Sequence, residues 1–201
     1  MISLETVLST TRTVRYGLDF SRPVSRDLLW RCLDLARFAP NGANRQSWRF
    51  LVLDDPSLIA GVAAHYRAAS AAYLSDAGDT PMARSAAHLA SRLHQAPVLV
   101  LACHLGRLPA DSSTARLAGF YGSVFPALWS FMLAARAYGL GTAMTTVHLS
   151  REREVAELLG IPYDSVTQVA LVAVAHARNP SPGPAPRAPL ASFVALNGWS
   201  G

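Results

Sequence analysis

Ala39-Pro40-Asn41-Gly42-Ala43-Asn44-Arg45-Gln46-Ser47-Trp48 is the stretch on which the reading of this chain turns. It is a Pro/Gly/Asn loop crowded with side-chain amides, set between a helical apolar pattern and a strand-like run. Pro40 and Gly42 stop the preceding helix. Gly42 lets a backbone come close to a ligand, and the amides of Asn41, Asn44 and Gln46 can hold the polar edge of a ring by hydrogen bonds. The same residues also make an ordinary helix stop and turn. Upstream, Thr11-Arg12-Thr13-Val14-Arg15 gathers two guanidiniums and a hydroxyl within a few residues. Arginine binds phosphate bidentately, and a neighbouring hydroxyl adds a donor. A further cation stands near the other end, in Arg187-Ala188-Pro189-Leu190.

Outward from these segments the chain alternates helices and short strands. Residues 3–12 read as a short helix, and Ser25 with Asp27 caps a second one to about residue 38, with Leu28, Leu29, Cys32, Leu33 and Leu35 at helical spacing. Residues 48–53 form a first strand, 57–75 an Ala-rich helix and 81–95 another helix. The continuous apolar run 97–103 is a strand buried on both faces. A long, nearly all-apolar helix over 120–138 is closed by Gly139 and Gly141, with a strand over 142–147 after it. Ser150 is expected to cap a helix over 151–158, whose Arg151, Glu152, Arg153 and Glu154 should face solvent. A valine-rich strand follows over 165–175. There is no repeat and no composition shift. The reading is one domain over 1–201, mixed α/β or α+β, with few strands and long helices. Residues 179–201 make a Pro-rich arm, short enough to lie extended on a neighbour.

The bulk numbers narrow the partners. A chain of 201 residues suits one domain with a sizeable core. It is 51% apolar and only 15% charged, a balance that accompanies a large subunit interface. The net charge of +5 comes entirely from scattered arginines, with no lysine, so no basic stripe suggests nucleic acid. Cys32 and Cys103 lie in apolar runs without metal-ligand spacing, as in a reduced, cytoplasmic protein. No apolar leader precedes Arg12. The longest apolar stretch is broken by Ser123, Pro126, Ser130 and Arg136, which suits a buried helix rather than a membrane span. The six histidines show no metal-ligand pattern, and neither GxSxG nor a strand-following GxGxxG occurs. Tyr66, Tyr73, Phe120, Tyr121 and Phe125 are candidates to wall a pocket or to pack the core.

Taken in this order, the segments resemble the FMN-dependent nitroreductase family. Thr11-Arg12-Thr13-Val14-Arg15 is similar to its Arg-Arg-Ser-x-Arg turn, with Thr11 replacing the first arginine. Residues 40–48 are similar to its Pro-Ser-Gly-x-Asn-x-Gln-Pro-Trp loop, with Asn41 and Ser47 as departures. Arg187-Ala188-Pro189-Leu190 matches an Arg-x-Pro-Leu element that returns to the phosphate. The resemblance implies an α+β fold with a small central mixed sheet wrapped by helices. It implies a homodimer formed through helices such as 120–138, with FMN at the subunit interface. Arg12, Thr13 and Arg187 would hold the phosphate, and Arg15 the ribityl chain or the pyrimidine edge of the ring. Asn41, Gly42, Asn44 and Gln46 would reach the flavin across the subunit boundary, and a backbone N–H of Thr145 or Thr146 would face its N5. Arg92 is a further candidate for the ribityl chain. Losing the first arginine removes a charged hydrogen bond, a cost of about 1.5–3 kcal/mol, which Arg12 and Arg187 would offset.

The activity so implied is reduction of a nitroaromatic, quinone or related small molecule by NAD(P)H, in ping-pong fashion through flavin N5. FMN carries the redox chemistry and the protein supplies position and electrostatics, so no catalytic side chain is named. Two alternatives stay open. One is a flavin-dependent oxidase, dehydrogenase or dehalogenase of a specialised metabolite that does not use NAD(P)H. The other is a flavin-binding dimer without turnover.

Overall fold

The valine-rich run near the C-terminus becomes the spine of the sheet. The structure, a computed structural model, describes residues 2–179 and 182–199, with backbone alone at Tyr73 and Asp76. Pro180 of the Pro-rich arm therefore lies outside the described residues, as does the Tyr73 side chain. In chain order the elements are α1 (Leu4–Thr10), β1 (Leu18–Asp19), α2 (Arg26–Ala36), β2 (Trp48–Leu53), α3 (Pro56–Asp76), α4 (Pro81–Arg92), β3 (Val98–Leu105), α5 (Thr114–Ala137), β4 (Leu140–Thr145), α6 (Glu152–Leu159) and β5 (Val166–Ala177). β5 pairs with β3, from Val98↔Val174 to Leu105↔Val166. It also pairs with β4 and, at its C-terminal end, with β1, while β2 joins the far side of β3. Each of these ladders is antiparallel, and the parallel component expected of a mixed sheet is confined to single bridges, Thr13↔Thr142 and Gly106↔Val166.

Alternation along β3 explains its unbroken apolar sequence. Val98, Val100 and Ala102 point to one face, where α2 and α5 pack. Leu99, Leu101 and Cys103 point to the other, covered by α3, the end of α4 and α6. With helices over both faces, every position from Val98 to Cys103 is buried and apolar. The architecture is α+β.

Several elements depart from the sequence reading. α5 starts at Thr114, capped by the Ser113 side chain, which accepts from the Arg116 N–H. Its first turns are small and exposed, so no apolar pattern marks them. By length and composition α5 could cross a membrane. Here, however, Val124, Leu128, Phe131 and Ala135 pack into the core against α2 and the sheet. Gly139, at φ 79°, ends α5 in a conformation that favours glycine, and β4 begins at once. Gly141 has no room for a side chain: a Cβ there would stand 2.7 Å from Leu18 Cδ2.

Ser150 does not cap a helix. It sits in a 3-10 turn, Val147–Arg151, with its hydroxyl donating to the Val147 carbonyl at 3.2 Å. α6 starts after Arg151, without a side-chain cap. Nor does Glu152 face solvent. Its carboxylate accepts two bonds from Arg107, at 2.7 and 3.1 Å, and one from the Gln168 N–H.

Candidate functional site

Threonine at position 11 acts as a helix cap. Thr11 is buried at the C-terminus of α1, where both its hydroxyl (2.6 Å) and its N–H (3.0 Å) donate to the Val7 carbonyl. The chain then turns along β4, held by the Val14 N–H donating to the Thr142 carbonyl at 2.8 Å. This added half-strand presents Arg12, Thr13 and Arg15 to a cavity of about 270 Å³. The opposite wall is Thr142 and Gly141 of β4, Ala177 at the end of β5, Asn179 and Ser85. Its lining includes no aspartate or glutamate.

Three guanidiniums therefore share this cavity. Among the described residues no carboxylate forms an ion pair with Arg12 or Arg15. Arg15 makes one long contact, Nη1 to Met82 Sδ at 3.7 Å. The third cation is Arg136 in the last turn of α5, buried at 7% exposure. In the sequence it stands as a break in an apolar stretch. A cue was available, since a charged residue inside an otherwise buried helix needs a polar surface to point at. Arginines, threonine hydroxyls and no acid make a donor set fit for a phosphorylated polyol.

The amide loop is elsewhere. Gly42–Asn44 is a single 3-10 turn packed on α5, with the Gly42 N–H donating to Ser123 Oγ at 3.3 Å. Asn41 Oδ1 accepts the Gln46 N–H at 2.8 Å, and Gln46 Nε2 donates to Asn44 Oδ1 at 3.2 Å. Ala43, Asn44 and Gln46 all have φ near 50°. Left-handed conformations at non-glycine residues cost energy, and such strain gathers at ligand sites. Asn44 and Gln46 are exposed. The loop borders a second cavity, about 530 Å³, with the end of β3 and the first turns of α5.

The two cavities share no residue. One meets β5 at Ala177, and the other lies where Val166 pairs with Leu105. Ala177 and Val166 are eleven strand steps apart, roughly 35 Å along β5, while on α5 the linings come nearer, with Arg136 in one and Ser123 in the other about 20 Å apart along the helix. Within this chain, the two parts of the expected site thus lie apart. Thr145 ends β4 about 10 Å beyond Thr142, and Thr146 follows it into the 3-10 turn. Thr145 is buried, its Oγ1 accepting the Val147 N–H, and Thr146 is exposed.

Arg187 does not join Arg12. It is exposed, donates to its neighbour Pro186 at 2.9 Å, and is not part of the Arg12 cavity. From Pro186 to Trp199 the arm is exposed, with Leu190, Phe193, Leu196 and Trp199 between 67% and 96% accessible, while Pro182 lines the Arg12 cavity. Arg92 is also spent elsewhere, donating twice to Gln95 Oε1 and lying 5.7 Å over the Phe20 ring. Of the aromatic candidates, Tyr66 is core, Phe120 lines the second cavity, and Tyr121 and Phe125 are exposed on α5. Cys32 and Cys103 are free but buried, their thiols pushed up to about 11 and about 12 by desolvation, so neither is a nucleophile at neutral pH.

The same fold recurs in solved structures. A BluB-like flavoprotein from Clostridium difficile 630 superposes with a TM-score of 0.74 at 18% identity, covering 98% of this chain and 99% of its own. Iodotyrosine deiodinase, solved with FMN and 3-iodo-L-tyrosine, superposes with a TM-score of 0.75 at 22% identity, covering 98% of this chain and all of the other. A nitroreductase-like family protein from Bacillus cereus gives 0.69 at 19% identity, with 98% and 96% covered. No curated protein matches the sequence. Residues 8–176, which carry both the Arg12 segment and the amide loop, match the profile of the Nitroreductase family, and the chain belongs to that family.

Proposed function

We propose that this protein is an FMN-dependent oxidoreductase that works as a homodimer, with the flavin held between subunits. The observation that carries this reading is the separation of the two half-sites. The cation-lined cavity of about 270 Å³ is smaller than the roughly 300–1,000 Å³ usual for a complete small-molecule site. The amide loop that would finish it is at the other end of the sheet, where only a second copy can bring it close.

In this arrangement Arg12 and Thr13 bind the phosphate, and Arg136 adds positive potential behind it. Arg15 lies along the ribityl chain or the pyrimidine edge, where its charge favours the anionic reduced ring. Asn41, Gly42, Asn44 and Gln46 come from the partner, and the end of β4 at Thr145–Thr146 supports the ring near N5. Arg187 reaches a phosphate only once the exposed arm settles on a neighbour. When bound, FMN supplies the redox chemistry. The chain's own part is to position it, neutralise its charge and exclude water.

The donor in this reading is NAD(P)H, and the acceptor a nitroaromatic, quinone or similar molecule in a cytoplasmic setting. A second reading is favoured by the likeness to iodotyrosine deiodinase, in which a substrate is dehalogenated or oxidised without a nicotinamide. Anaerobic mixing of the FMN-loaded protein with NADPH or NADH separates them. Bleaching of the flavin band on the timescale of turnover supports the nicotinamide reading. A band that persists under both donors contradicts it and moves the assignment to the second.

A further inference from the structure

The second cavity has a chemistry of its own. Its floor is aromatic: His104 stacks on Phe120 with ring centroids 3.7 Å apart. Its rim carries Arg45, at the end of the amide loop, and Arg116, in the first turn of α5. Both are exposed, and among the described residues no carboxylate forms an ion pair with either. Arg107, a third cation in the lining, is different. It is clamped by Glu152 and by the carbonyls of Tyr163 and Val166, so it is a wall rather than a ligand group. No aspartate or glutamate lines the cavity. The buried Nδ1 of His104 has no hydrogen-bond partner.

An aromatic floor beneath two uncommitted guanidiniums selects a flat ring that carries an oxyanion. We infer that this cavity binds the acid group of an aromatic carboxylate, which is the acceptor of the flavin reaction. The assignment of the ligand as acceptor rests on the flavin reading above, because the cavity borders the loop that would meet the partner's flavin. Its volume of about 530 Å³ suits one substituted ring better than a dinucleotide, which places the oxyanion on the acceptor and not on the nicotinamide donor.

The test is equilibrium titration with 4-nitrobenzoate and its neutral isostere 4-nitrobenzamide, on protein with and without FMN. Wild type binds the acid about tenfold more tightly than the amide, and Arg45→Ala and Arg116→Ala each lose several-fold in affinity for the acid only. Arg45→Lys recovers part of the loss. Equal affinity for acid and amide in wild type overturns the inference, as does an acid preference that survives in the double alanine variant. Loss of flavin from the double variant also overturns it, by assigning these arginines to the cofactor. A protein that takes up no FMN yet keeps the acid preference would refute the flavin reading and leave the cavity assignment standing. Both arginines are exposed, and an unchanged thermal midpoint confirms that the variants are folded.

Discussion

At the scale of single residues, the site is decided by which arginines are already occupied. Arg107 and Arg92 have partners within the chain, whereas Arg12 and Arg15 face a cavity without carboxylates. Arg12→Ala should therefore weaken FMN about tenfold to a hundredfold, the loss of one or more charged hydrogen bonds. A fluorescence titration measures it. Gly141→Ala probes the packing beneath the same wall. Its Cβ would press to 2.7 Å from Leu18 Cδ2, an overpacking that costs about 1–3 kcal/mol, read from the urea midpoint. His148 sets an acid limit. It is fully buried, neither ring nitrogen has a hydrogen-bond partner, and burial pushes its pKa down to about 4 from 6.5. Between those values the unfolded chain binds the proton and the folded one does not. Stability is thus complete above pH 6.5 and falls by roughly 3 kcal/mol as the pH drops to 4. His88, His104 and His176 are shifted the same way by burial. His148→Leu should flatten most of this slope in denaturant titrations across pH 4–7.

At the scale of elements, the sequence was legible where one physical rule dominates. The apolar run 97–103 of β3 announces two covered faces, and the Ala-rich run over 57–75 announces α3, whose cap Asp55 accepts from the Ser57 and Leu58 N–H groups. It was illegible where tertiary contacts decide. β1 is a two-residue strand with no pattern of its own. The first turns of α5 are exposed, and Ser150 satisfies a turn rather than a helix. Within the site, the Arg12 segment and the amide loop were legible as polar groups in unusual density. Arg136 was hidden because an isolated charge in an apolar run looks like an interruption until its cavity is seen. The exposed face of α5 makes a separate prediction. Leu117, Tyr121, Phe125 and Trp129 recur every four residues, each 37–40% exposed, so they form one stripe along the helix. A charge there blocks helix-to-helix association. Phe125→Glu with Trp129→Glu should yield a folded monomer by sedimentation velocity, and that monomer should lose flavin although neither residue lines the Arg12 cavity.

At the scale of the whole molecule, the chain holds two polar cavities toward opposite ends of its sheet, together with an arm that is exposed from Pro186 to Trp199. A low charge fraction, the α5 stripe and the exposed Leu190, Phe193, Leu196 and Trp199 all ask for a second copy. The proposed dimer would answer each at once, covering the stripe, giving the arm a surface and bringing the amide loop of one chain to the cations of the other. Removing residues 182–201 should therefore lower both dimer stability and FMN affinity, measured by dilution in the ultracentrifuge with flavin absorbance as the signal.

The most direct measurement is the visible spectrum of the purified protein after incubation with FMN and desalting, taken alongside Arg12→Ala. A flavin band retained at one FMN per chain in the wild type, and lost or greatly reduced in the variant, is the result predicted here. A colourless wild type, or equal retention by both proteins, would contradict the assignment of the Arg12 cavity as the cofactor's phosphate site.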